Sequence, residues 1–448
     1  MRIPVFLIWI STAALAAAAL SGAYASEPDV KGIPAMPKGK PAGIYLQRAL
    51  SGLQAGSFDV PDTLRLLVIR VSFSDMDFTS PPHDSLYFAN EMRHTWEYYR
   101  GASNGAFGLG WEMAAGITTL TFDAAYYGDD DLWEERVSEI LMEAVARNDD
   151  EIDFSRFDAF ALVHPGAGQE TDFSGDSPWQ LWSGFIDPVE MEAVLADTLG
   201  TPGIPTNDLV DGDTFYVDNV MVLPENASQD GLTFGSLGIY AYQVGMRLGM
   251  IPMYDTTPSS FPNSQGIGAF GLMGYGLYNA SGFIPAFPCA FHRYLMGWAE
   301  PETVEGDGTV NITDINSPGP DDTFLVKIEI TPTEYFLISN RVHDQNMNGR
   351  FDFGDANSDG IPANEDTLLG AEFDFFLTAT TNPFHYEDVG GVDVKIVDTG
   401  SGIMIWHIDE TVIRNQLGIG RYPNDNPGVS GVDLEEADGV QDLSLIHI

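Results

Sequence analysis

The stretch YAYQVGMRLGMIPMYD, residues 240–255, decides how the rest of the chain is read. It reads as an apolar helix in which Gly245 and Gly249 allow close packing, with Gly249 breaking the helix before Tyr254 and Asp255. The segment before it, YVDNVMVLP at residues 216–224, is expected to be a strand. Further back, LRLLVIRVSF (64–73) and FDAFALVH (157–164) are short apolar runs that predict buried strands. Residues 84–99 and 131–147 read as helices, the second with Leu132, Val137, Ile140, Leu141 and Val145 near helical spacing. GLGWEMAAGITTLTF (108–122) suggests a hairpin or edge strands. From residue 301 onward the pattern becomes alternating: TVNITDI, TFLVKIEI, YFLISNRV, VDVKIV and GIMIWHI predict a β-sandwich-like second domain.

At 448 residues the chain is long enough for a large core and two domains. Lys+Arg 20 against Asp+Glu 66 gives a net charge of -46, which leaves no basic footprint for nucleic acid. Such a balance fits a solvated acidic surface, or an acid cluster that binds calcium. Arg2, the apolar run 3–20 and Ala23-Tyr24-Ala25 read as a signal peptide cleaved after residue 25. No later run is long and apolar enough to span a bilayer, so the mature protein is expected to be secreted or held at the cell surface. Cys289 stands alone and cannot form an intrachain disulfide; bound calcium is the expected brace instead. The Pro/Gly-rich GIPAMPKGKPAG lies in a linker or short pro-segment at 26–62, ahead of domains at 63–300 and 301–442. The closing LSLIHI, 443–448, is what one reading frame of a transposase end used in DNA library preparation encodes, so the native chain is expected to continue beyond residue 442.

Several stretches together resemble the immune inhibitor A-type secreted metallopeptidases, over most of the mature chain. LLVIRVSFSD resembles the first strand of the family's peptidase domain, and WEYYRGASNGAFGL its YYxxxSxGxF stretch. ALVHPGAGQETDFSGDSPWQLWS resembles an HxGxGxE loop ending in Trp-Ser. VMVLPENASQDG leads into the helix, GAFGLMGYG resembles the Met-turn with Met273, and YLMGW the segment after it. EYFLISNR, GIMIWHIDE and GVDLEEADG resemble the family's β-domain. The resemblance implies an α+β zincin-like metallopeptidase domain followed by the β-rich domain.

It also implies HExxHxxGxxD on the helix, with two His and the Asp holding zinc and the Glu acting as general base. This chain departs from that pattern at every reacting position. The first His is Tyr242, the Glu is Gln243, the second His is Met246 and the Asp is Pro252, while Gly249 is kept. Gln243 takes no proton at useful pH, and Tyr242, Met246 and Pro252 are poor zinc donors. No catalytic residue and no zinc are therefore expected. A relocated site would have to draw on His83, His94, His164, His292, His343, His385 and His407, of which none forms His-Glu-x-x-His; His164 and His407 lie in the family-like stretches.

DQNMNGRFDFGDANSDGIPANED, 344–366, carries two overlapping calcium-loop patterns. Asp344, Asn346, Asn348, Asp352 and Asp355 alternate as oxygen ligands, with Arg350 offering its carbonyl and Gly349 at the sharp turn. Asp355, Asn357, Asp359 and Asp366 repeat the pattern, with the carbonyl of Ile361 and the turn at Gly360. Glu170, Asp172 and Asp176 are further candidate calcium ligands. The reading is a secreted, calcium-stabilised pseudopeptidase that binds peptide or protein without cutting. An active zinc endopeptidase with a relocated site and a cell-surface structural or adhesion module are the alternatives.

Overall fold

The computed structural model describes residues 6–10, 34–39, 51–52, 61–79, 83–254, 266–342, 368, 371–374, 384–388, 393–397, 402–426 and 428–435. The fold is mixed α+β. A seven-stranded sheet is built on β1 (Thr63–Ser72), β2 (Gly108–Met113), β3 (Ala159–Ala167), β4 (Gly184–Ile186) and β5 (Val220–Asn226), in the order Lys38–Gly39, β4, β5, β3, β1, β2, with Thr118–Thr119 also paired to β1. The pairs β5–β3, β3–β1 and β1–β2 are parallel, whereas β4 runs antiparallel to β5.

Alternation within each apolar run explains why these strands show no polar face. Leu64, Leu66 and Val68 of β1 join one core, while Leu67, Ile69 and Val71 join another. The same split divides Ala161 and Val163 from Phe160 and Leu162 in β3, and Met221 and Leu223 from Val220 and Val222 in β5. A sheet covered on both faces needs apolar residues at successive positions. On the first face lie α1 (Ser85–Ala102), capped by Asp84, and α3 (Leu237–Leu248). The second face is covered by α2 (Trp133–Asn148) through Val137, Ile140, Leu141, Ala144 and Val145.

The alternating region forms a five-stranded sheet in the order Glu302–Thr303, β6 (Leu325–Thr331), β7 (Glu334–Arg341), β8 (Gly402–Asp409), β9 (Val432–Leu434), with helix α4 (Glu410–Leu417) after β8. Tyr335 and Leu337 of β7 face the first core, and Phe336 and Ile338 face a small second one. That second core is closed by Ile312, from the two-stranded pairing of Gly308–Ile312 with Phe6–Ile10. One face of this sheet thus carries a small second layer, and its other face is continuous with the core of the first unit.

Three local expectations are corrected. YVDNVMVLP is two strands, because Asp213–Val217 pairs with Ile204–Val210 and β5 begins only at Val220. The polar pair Asp218–Asn219, joined by a 2.8 Å side-chain bond, marks the change of sheet. Of the two readings of residues 108–122, the edge strands hold and the hairpin does not, since β2 lies at the sheet edge and both it and Thr118–Thr119 pair parallel with β1. The Pro/Gly-rich segment is not only a linker: Lys38–Gly39 extends the sheet beside β4, with Lys38 N donating to Ser183 O at 2.8 Å. Among the described residues, no helix is long and apolar enough to cross a membrane.

Candidate functional site

Helix α3 ends where the sequence says it must. Gly249 adopts φ 93°, and its N–H returns to the carbonyls of Gly245 and Met246; a left-handed closing residue of this kind suits glycine. Gly245 is small for another reason. A Cβ there would lie 3.0 Å from Met273 Sδ and 3.1 Å from the Tyr99 hydroxyl. Met273 is fully buried beneath α3, and its carbonyl accepts Met253 N at 2.8 Å. Met273 therefore packs under the helix.

Tyr242, Gln243 and Met246 are all buried on this helix, and Pro252 is buried in the turn after it. The Tyr242 hydroxyl lies 3.3 Å from that of Tyr254, whose ring packs near Tyr275 and Tyr422. Burial pushes the Tyr242 phenol well above its ordinary range, so it is held as a neutral phenol. Oriented with its nitrogen toward Gly184 O, the Gln243 amide meets both backbone groups of Gly184, each at 3.3 Å. A neutral phenol, an amide committed to β4, a thioether and a proline make no zinc donor set.

Tyr422 reaches this place from the loop after α4. Asn424 fixes that loop by donating to the carbonyls of Met253 (3.1 Å) and Val432 (2.8 Å), while its oxygen accepts Gly431 N and Val432 N, both at 3.1 Å. The β-rich region therefore supplies part of the tyrosine cluster, which the sequence reading did not foresee. The signal was present only as four tyrosines scattered over the chain.

The histidines singled out for a relocated site stand on different sheets. His164, in β3, is buried; its Nδ1 lies 3.0 Å from Pro165 O and desolvation lowers its pKa to about 4. His407, in β8, pairs through Nε2 with Glu334 at 3.1 Å and packs on Phe336. His292 is a core pin rather than a ligand: its Nε2 accepts Ile251 N at 3.2 Å, its Nδ1 lies 3.5 Å from Cys289 Sγ, and burial lowers its pKa to about 3.

The calcium-loop positions Asp344, Asn346, Asn348, Arg350, Asp352, Asp355, Asn357, Asp359, Ile361 and Asp366 lie outside the described residues. Among the described residues the metal-capable group is Asp172, Asp176 and Asp230, one carboxylate oxygen of each lying within 4.8 Å of the others. Oxygen donors so grouped suit a hard divalent cation. Asp172 also orders its own loop, accepting Gly175 N and Ser177 N at 2.9 Å, and Asp230 accepts Ser174 N at 2.8 Å. The sequence reading named two of the three; Asp230 follows β5, far from the HxGxGxE loop, and had no spacing signal. Glu170 is not part of the group. It is buried, accepts the hydroxyl and N–H of Ser183 at 2.6 and 3.1 Å, and burial raises its pKa.

No protein-family model matches the chain, and no curated protein is significantly similar to it.

Proposed function

We propose that this chain is an exported, non-cutting relative of the immune inhibitor A-type metallopeptidases, zincin-like in its first unit and braced by calcium, which holds a peptide or protein instead of hydrolysing it. The observation that carries this reading is Gln243. At the position of the family's general base stands an amide that bridges Gly184 O and N. The surrounding geometry supports it: α1 and α3 share one face of the sheet, β4 is its antiparallel strand, and Met273 underlies α3. Tyr242 and Tyr254 fill the place where ligands would converge.

Peptide capture does not depend on zinc, because sheet edges bind extended chains through backbone hydrogen bonds. Here the outer side of β4 already pairs with Lys38–Gly39. A peptide added to β4 must displace that segment.

The test is elemental analysis of the purified mature chain after dialysis against trace zinc and calcium. Calcium is expected to remain and zinc to wash out, with no chelator-sensitive cleavage of a protein substrate. Near-stoichiometric zinc would overturn the proposal.

A further inference from the structure

The outer side of β4 is covered by a short piece of the chain's own N-terminal region. Lys38 and Gly39 pair parallel with Gly184 and Phe185. Ala35 N donates to Glu170 O at 2.9 Å, Lys38 N to Ser183 O at 2.8 Å, and the Tyr278 hydroxyl to Ala35 O at 2.6 Å. Gly184 permits this approach, because a Cβ there would lie 2.9 Å from Lys38 O. The segment reads Pro-Ala-Met-Pro-Lys-Gly, 34–39. Its prolines have no N–H to give, and the residue after each of them supplies the N–H that bonds. Pro34 and Pro37 are buried, and Met36 packs against the first core.

The lysine has a seat of its own. Its Nζ lies 3.1 Å from Asp130 Oδ1, 3.2 Å from Asp130 O and 5.4 Å from the centre of the Trp182 ring. Trp182 Nε1 donates to the same Asp130 oxygen at 2.5 Å, which holds the carboxylate toward the lysine. Asp129 and Asp131 flank Asp130, so an acidic side chain in place of Lys38 would be repelled. The hold is nevertheless light. The ion pair is partly exposed, 30 % at Lys38 and 46 % at Asp130, and such pairs contribute little.

We propose that residues 34–39 are a tethered ligand of a peptide groove along β4, and that this groove takes from other proteins an extended segment of the same kind, Pro-x-x-Pro followed by a cationic residue. The groove's specificity rests on the reading that β4 receives a peptide; it adds which peptide is taken and what keeps it out. Glu170 O, Ser183 O and the Tyr278 hydroxyl hold the backbone, while Asp130 and Trp182 select the cation. Proline fixes φ, so such a segment loses little freedom when it is seated. A net charge of -46 favours a basic partner over an acidic one. The tethered copy competes at high local concentration, so an incoming peptide binds weakly until the tether is loosened.

Fluorescence anisotropy of labelled, end-blocked Pro-Ala-Met-Pro-Lys-Gly against the full mature chain tests it, beside a second peptide with glutamate in place of the lysine. Lys38→Glu sets a carboxylate against Asp130 and loosens the tether. The lysine peptide should then bind about threefold to fivefold more tightly than to the unsubstituted chain, the range an exposed ion pair sustains. The glutamate peptide should bind that variant more weakly than the lysine peptide by a similar factor. Lys38→Glu combined with Asp130→Lys restores the tether with its charges exchanged, so affinity for the lysine peptide should fall back to the unsubstituted level or below. Damage to the fold would not be reversed by a second substitution. Equal binding of both peptides to Lys38→Glu, no binding to any variant, or no fall in the double variant would each overturn the assignment. A dimer of the unsubstituted chain that excess peptide dissociates would also overturn it, because the segment would then serve a second copy. Mass spectrometry of the recovered peptide separates the two readings: a cleaved peptide sinks the non-cutting reading and leaves the groove, whereas an intact peptide that never binds sinks the groove alone.

Discussion

Gln243 and a glutamate differ by one group, yet only the amide both donates to Gly184 O and accepts from Gly184 N. Gln243→Glu leaves the carbonyl without a donor and puts a carboxylate in a fully buried position. The expected cost at neutral pH is about 1–3 kcal/mol, the usual penalty for an unsatisfied buried group. A protonated carboxyl can donate again, so the deficit should shrink as pH falls toward the ordinary glutamate value of about 4.3. Thermal melts of both proteins at pH 4 and 7.5 check this, and equal midpoints at both would show that the Gly184 bridge contributes nothing. That Tyr242, Gln243, Met246 and Pro252 offer no zinc donor set was legible in the sequence because it follows from the side chains alone. What surrounds them was not, since Gly184 and Tyr422 come from far along the chain.

Elements were legible where one physical signal dominated. The runs that became β1, β3 and β5 are apolar at successive positions because both sheet faces are covered. The end of α3 was legible from Gly249 alone. Gly249→Ala forces a side chain into φ 93° and should cost roughly 1 kcal/mol, measured by denaturant unfolding. An unchanged midpoint would mean that the last turn simply reorganises. The parallel pairing of β2 with β1 was not legible, because apolar periodicity gives burial and not strand direction. The sheet-edge role of Lys38–Gly39 was hidden for a different reason. Two strand residues between prolines and glycines carry too little apolar pattern to register, and their bonds to Ser183 and β4 are backbone bonds that any sequence can make.

At the scale of the molecule, one core runs from α1 and α3 into β7 and β8, so the change of pattern near residue 301 marks a change of architecture without a break in packing. The joint is polar. Arg341 pairs with Asp374 at 3.1 Å and donates to Pro288 O, Asn316 bonds Asp374 at 2.6 Å, and Arg293 donates to Ile315 O at 2.9 Å. Asp314 sits in this joint, 4 % exposed, with Oδ1 accepting Asn316 N and Val342 N and Oδ2 unpartnered among the described residues. Burial raises its pKa to about 6, against an ordinary value of about 3.9. Between those values the folded chain keeps a proton that the unfolded chain has released. Asp314 therefore removes stability as pH rises through the window from about 4 to 6, and the full penalty stands above it. Asp187, also raised to about 6, has the same sign. His164 and His292, lowered to about 4 and about 3, have the opposite sign, since the unfolded chain takes up their protons below about 6.5 and stability is lost as pH falls. Whole-protein melts mix these contributions, so a single substitution is needed to isolate one. Asp314→Asn keeps an oxygen for Asn316 N and Val342 N and cannot ionise. Its thermal midpoint should exceed that of the unsubstituted chain by a few degrees at pH 7.5, with the difference closing by pH 4. A constant difference across that range would mean that Asp314 is not the group that titrates at the joint.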